Sequence, residues 1–153
     1  MRSPDFYTYR RLLPHWRFNS ATYFVTWRAK PGAPDLTPDE RTLVTTTLAH
    51  FDRQRYDLLA YVVMNDHVHA MVTPAVDFAL EKIVGSWKSH TTFVLQRETG
   101  RSGRVWQTEY YDRIMRSEAE LIEKVQYVLS NPWRRWPELT LYPWVGCRGL
   151  TDQ

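Results

Sequence analysis

Two apolar runs separated by two residues fix the centre of this chain. Residues 57–64, DLLAYVVM, are almost continuously apolar, the pattern of a strand covered on both faces, and Asn65-Asp66 leave room only for a tight turn before residues 67–73, HVHAMVT. So short a connection permits only antiparallel pairing, which makes the two runs a hairpin around which the rest must be arranged.

The flanking segments supply the other elements. Residues 21–28, ATYFVTWR, are dense in β-branched and aromatic residues and stop at Pro31-Gly32, as a first strand should. Thr37-Pro38-Asp39-Glu40 offers an N-cap, a proline at the first helical position and a capping-box glutamate. It predicts a helix to about Arg53, with Leu43, Val44, Leu48 and Phe51 on its buried stripe. A longer helix is expected from Asp77 to about Glu98, striped by Leu80, Ile83, Val84, Trp87, Thr91, Val94 and Leu95 and ended by Gly100 and Gly103. Residues 110–115, YYDRIM, read as a fourth strand, and Ser117 with Glu120 forms a capping box that opens a last helix, expected to stop before Pro132. The order predicts an α+β fold: an antiparallel sheet with two crossover helices on one face and a further C-terminal helix. A chain of 153 residues without repeats is read as one domain, 1–153, with a basic and aromatic arm at 1–20 and an aromatic tail at 133–153.

Composition narrows the partners. A single cysteine, Cys147, excludes an internal disulfide and suits a reducing cytoplasm, and no apolar run reaches membrane-spanning length. The net charge is only +3, yet basic residues cluster near both ends, and 7 Trp and 9 Tyr provide flat rings of the kind on which unpaired bases stack. Cores also consume aromatic residues, so this pattern points to a polyanion without deciding for one.

Two places on the scaffold can hold chemistry. Along the third strand Val68, Ala70 and Val72 share one face, the core face, while His67 and His69 share the other, about 7 Å apart by the rise of a strand. Both imidazoles can then reach one divalent ion, or they make ordinary polar contacts at a strand start. On the last helix Leu121, Ile122, Val125, Val128 and Leu129 form the apolar stripe, and Tyr127 lies roughly 160° from its centre with Asn131 beside it one turn on. That face is either a site or a solvated surface shared with Glu120 and Lys124. His15, His50 and His90 lack any such pairing.

Taken together the motifs resemble a known family. Met64-Asn65-Asp66-His67-Val68-His69 is similar to the histidine, hydrophobic, histidine motif of HUH endonucleases, and residues 125–132, VQYVLSNP, resemble their nucleophile helix. The closest likeness is to REP-associated tyrosine transposases, which residues 105–116, VWQTEYYDRIMR, and the terminal Tyr142-Pro143-Trp144-Val145-Gly146 also resemble, so that it covers about residues 6 to 146. Many family members carry a proline in the turn where this chain has Asn65-Asp66.

The resemblance implies a ferredoxin-like sheet and a metal-dependent endonuclease and transposase, in the bacterial cytoplasm, that cleaves and rejoins single-stranded or hairpin DNA. In that likeness Tyr127 is the nucleophile that forms a 5′-phosphotyrosine, and His67, His69 and Asn131 hold Mg²⁺ or Mn²⁺. Tyr110 and Tyr111 compete for the nucleophile's role, but one of two successive strand residues must point into the core. Tyr9, Arg10, Arg11, Trp133, Arg134 and Arg135 are candidates for holding flanking DNA and Lys88 for touching a phosphate, while Glu109 and Asp112 either assist or are surface carboxylates. The likeness favours a monomer over a homodimer. The rival readings are a descendant that holds hairpin DNA as a regulator without cutting it, and a metal-free RNA-binding domain of similar fold, whose glycine-aromatic strand signature the chain lacks.

Overall fold

The computed structural model describes residues 21–148. The elements run β1 (Tyr23–Arg28), α1 (Pro38–His50), β2 (Tyr56–Val63), β3 (His67–Pro74), α2 (Leu80–Thr99), β4 (Tyr111–Ile114), α3 (Glu118–Arg135) and β5 (Val145–Cys147). The strands form one antiparallel sheet in the order β4-β1-β3-β2-β5. The α+β fold read from the sequence is present, and its central hairpin is closed by a 2.8 Å bond from the Met64 N–H to the His67 carbonyl.

Side-chain alternation divides the sheet between two cores. Val25 and Trp27 of β1 and Val68, Ala70 and Val72 of β3 pack against Val44 and Leu48 of α1 and against Ile83, Val84, Trp87 and Leu95 of α2. On the opposite face Phe24, Val62, Met64 and Met71 meet Leu121, Val125, Val128 and Leu129 of α3. Each such side chain contributes roughly 1.5–3 kcal/mol by leaving water, so both faces demand a cover. The two crossover helices share one face, as expected, and α3 makes a third layer on the other. A bulge in β2 between Leu58 and Ala60 lets Leu59 and Ala60 both join the second core.

Local chemistry sets the helix ends. Thr37 Oγ1 accepts from the Glu40 N–H at 3.2 Å and the Glu40 carboxylate accepts from the Thr37 N–H at 3.0 Å, so the first capping box is complete. The second is half closed: Ser117 Oγ accepts from the Glu120 N–H, but the Glu120 carboxylate reaches the N–H of Arg116 instead. Gly100 ends α2 with φ 75°, the left-handed conformation that glycine adopts without steric cost.

Two expectations need correction. The last helix does not stop before Pro132 but runs through it to Arg135. A proline inside a helix costs about 3 kcal/mol; Pro132 is buried here, and Trp133 and Trp136 beside it pack on the second core. The segment from residue 133 is also no free tail: its first residues complete α3 and residues 145–147 add a fifth strand to the edge of β2. Tyr142 Oη donates to the Val63 carbonyl at 2.6 Å and the Val63 N–H donates to the Trp144 carbonyl at 2.9 Å, docking the connection. A Cβ at Gly146 would lie 2.8 Å from the Tyr61 ring, so a larger residue there would force that ring to shift. The arm, residues 1–20, lies outside the described residues. Among those described, no helix is long and apolar enough to cross a membrane.

Glu40 ties α1 to the end of α2. Its carboxylate, 2 % exposed, accepts from Arg101 Nε at 2.6 Å and from Thr99 Oγ1 at 2.8 Å as well as from its own cap. Burial pushes its pKa up, but the bonds from Arg101, the Thr37 N–H and Thr99, with the Arg101 charge, outweigh burial and leave it at about 2. Because the folded value lies below the ordinary 4.5, this stability is fully present above pH 4.5 and is lost as pH falls towards 2. Acid unfolding monitored by circular dichroism should show the wild type losing about 3 kcal/mol across that window, a loss absent from Glu40→Gln, which starts less stable at pH 7.

Candidate metal and nucleophile site

The strand that centres the sheet also centres the site. His67 and His69 project from β3 on the face opposite Val68, Ala70 and Val72, with ring centroids 4.7 Å apart. In register with them on β1 stand Arg28 and Thr26. Thr26 Oγ1 and His69 Nδ1 share a buried 2.7 Å hydrogen bond, and His67 Nδ1 donates to Asp66 Oδ1 at 2.7 Å. With each Nδ1 engaged, the Nε2 atoms are the nitrogens left to meet an electrophile.

Helix α3 closes over this pair. The Tyr127 ring lies 5.5 Å from that of His69 and 6.0 Å from that of Phe24, and Phe24 itself stacks on His69 at 5.2 Å. Tyr127 therefore stands half-buried at the rim of the second core, not on the open face its helical wheel implies. The wheel counts only aliphatic neighbours, whereas the sheet offers the phenol an aromatic wall. Asn131, one turn on, is the smallest of the influences that raise the His67 pKa.

The electrostatics keep both imidazoles neutral. Burial lowers the His67 pKa more than Asp66 raises it. His69, 4 % exposed, is pulled down to about 3, first by burial and then by the neighbouring His67, Arg28 and Lys124 charges. Neutral imidazoles carry the lone pairs that a divalent ion needs. No group of three or more His, Cys, Asp or Glu able to hold a metal occurs among the described residues. The sequence candidates for holding a metal, His67, His69 and Asn131, are two imidazoles and one amide.

The other sequence candidates are scattered. Lys88 lies on α2, across the sheet from the histidines, with its Nζ donating to the Thr108 carbonyl at 2.8 Å. Trp133 Nε1 donates to the Leu139 carbonyl, Arg135 lies over the Trp136 ring, and Arg134 lies over Tyr127 itself. Tyr9, Arg10 and Arg11 lie outside the described residues. Tyr110 packs on the first core, while Tyr111, paired with Thr26 on β1, is 53 % exposed and lies edge-on to Phe24 at 6.3 Å. Glu109 and Asp112 are exposed. Sequence reading missed Thr26, Arg28 and Phe24, although their shared parity on β1, opposite Val25 and Trp27, is a visible signal once β1 is paired with β3.

Phe24 is the wall on which His69, Tyr127 and Tyr111 all rest. Phe24→Ala should cost about 3–5 kcal/mol in denaturant unfolding, and fluorine NMR of fluorotyrosine-labelled protein should show the Tyr127 ring gaining mobility.

The family model described as "Transposase IS200 like" matches residues 19–131. A REP-associated tyrosine transposase bound to a REP hairpin has a similar structure: TM-score 0.68, 18 % identity, 86 % of this chain and 79 % of that one covered. A putative transposase from Deinococcus radiodurans R1 is similar with a TM-score of 0.51 and 20 % identity, over 70 % of this chain and 87 % of that one. At these identities the two structures speak for the fold alone. No curated protein matches the chain.

Proposed function

This chain belongs to the IS200-like transposase family, and from that premise we propose that it cleaves and rejoins single-stranded or hairpin DNA through a covalent phosphotyrosine on Tyr127, with a divalent metal held by His67, His69 and Asn131. One observation carries the reading: the phenol of Tyr127 packs against His69, and Asn131 stands one turn further along the same helix. In this reading nucleophile and metal ligands meet across a single helix-sheet contact. Tyr127 packs on His69 of its own chain, which supports a site complete in a monomer.

The chain's own groups account for most of the reaction. Tyr127 Oη attacks the scissile phosphorus in line; the new O–P bond forms as the bond to the 3′-oxygen breaks, the phenol proton passes to solvent, and the departing oxygen takes up a proton to become a free 3′-hydroxyl. One phosphodiester replaces another, so a second 3′-hydroxyl can reverse the step and join strands without ATP. Thr26 and Asp66 fix the imidazole orientations, and Phe24 fixes the phenol. A divalent ion bound there would draw charge from a non-bridging phosphate oxygen and help ionise the phenol. Mg²⁺ and Mn²⁺ both suit such a set, and its two nitrogen donors favour Mn²⁺ of the two. Trp133 and Arg135, with Tyr9, Arg10 and Arg11, are placed in this reading to hold flanking DNA. The hairpin bound to the similar transposase supports a hairpin as the partner here.

Incubated with a library of DNA hairpins bearing random single-stranded flanks, the wild type should form a denaturant-resistant DNA adduct that EDTA abolishes and Mn²⁺ restores. Tyr127→Phe should form none while binding DNA as well as the wild type, since only the attacking oxygen is removed. An adduct mapped to Tyr110 or Tyr111, or one formed by Tyr127→Phe, would refute the assignment.

His67→Ala and His69→Ala should each lose cleavage and keep most DNA binding. Thr26→Val, which frees His69 Nδ1 without touching a ligand atom, should raise the Mn²⁺ concentration needed for half-maximal cleavage roughly 10–100-fold.

A further inference from the structure

Beside its apolar stripe, helix α3 carries a second pattern. Lys124, Tyr127, Asn131 and Arg134 follow one another at intervals of three, four and three residues, the spacing that stacks side chains along one helix face. The Arg134 guanidinium carbon lies 4.7 Å from the centroid of the Tyr127 ring, and Lys124 Nζ lies between two rings, 4.9 Å from the Phe24 centroid and 5.3 Å from that of Tyr127. Neither forms an ion pair with a carboxylate among the described residues, whereas Arg97, Arg101, Arg113 and Arg148 all do. The helix dipole accounts for basic residues in the last turn, such as Arg134 and Arg135. It does not account for Lys124 in the middle of the helix, nor for two cations converging on one ring. Like charges gathered without a counter-charge repel, and an anion placed between them turns that cost into attraction.

We propose that Lys124 and Arg134 clamp one phosphate of the DNA backbone, the phosphate that Tyr127 attacks. The clamp rests on the reading of Tyr127 as the nucleophile and goes beyond it in naming what grips the reacting group. It moves Lys124 from a solvated surface to the reacting phosphate, and Arg134 from flanking DNA to the same group. A planar guanidinium meets two phosphate oxygens at once, while the flexible ammonium supplies a point charge from the other end of the ring. Because both stand on the helix that carries the phenol, phosphate and nucleophile stay aligned through any movement of the surrounding loops. Their charges then face the oxygens on which negative charge gathers in the transition state.

Lys124→Gln and Arg134→Gln test the clamp, with Arg97→Gln on α2 as the control. Binding to a fluorescent random-sequence single-stranded DNA is measured against salt, and adduct formation is timed at saturating hairpin library. Each test variant should lower the slope of log affinity against log salt by about 0.7, the share of one phosphate contact. Each should also slow adduct formation at saturation roughly 10²-fold, with melting temperature nearly unchanged. Arg97→Gln should move neither. An unchanged salt slope, with or without a lowered melting temperature, would overturn the clamp and leave the cations as helix stabilisers. A lowered slope with an unchanged rate at saturation would overturn it too, returning both residues to flanking DNA. If the wild type forms no adduct at all, the nicking reading fails, and the salt slope alone decides whether the cations hold phosphate.

Discussion

Strand β3 is hydrogen-bonded along both edges and, beyond His67, buried on both faces, and the remaining elements take their places from it. Its two-residue link to β2 dictates one neighbour, and the pairing of Tyr23–Arg28 with Val72–His67 sets the other. A slip of one residue would carry Val68, Ala70 and Val72 to the side of α3 and both imidazoles into the aliphatic core under α1 and α2. The register that builds the core is therefore the same register that builds the site.

Putting imidazoles inside a protein is costly unless they stay neutral and keep hydrogen-bond partners. Both conditions are met here by neighbours that do no more than hold: Thr26 and Phe24 on His69, Asp66 on His67. The positive charges of Arg28 and Lys124 reinforce neutrality, and they also leave the cluster short of negative charge. A cluster with this balance favours an anion beside it.

Legibility in the sequence followed the range of the interaction. The helix starts at Thr37 and Ser117 rest on contacts three residues apart, and the two faces of β3 rest on alternation within seven residues, so both could be read directly. The end of α3 could not: the local preference of a residue before proline argued for a stop, and burial against the second core overrode it. β5 escaped because Val-Gly-Cys has no period of its own and pairs with a strand more than eighty residues earlier, where a tyrosine ring needs the space above Gly146. The half-burial of Tyr127 escaped for a related reason, since a wheel describes a helix without the surface it lands on. Thr26, by contrast, was within reach, needing only the register of β1 on β3.

The late position of α3 has a kinetic side. Its residues follow both strands of the hairpin in chain order, yet they supply much of the cover of one face of the sheet and the phenol beside His69. During synthesis the hairpin can form first, because its contacts are local, whereas the pairing of β1 with β3 and the docking of α3 must wait for distant partners. A nascent or truncated chain thus holds two histidines beside an uncovered apolar face, with neither phenol nor amide near them. The assembly of the complete cluster coincides with the burial of the second core, so a chain that carries the whole site is also one that has finished folding.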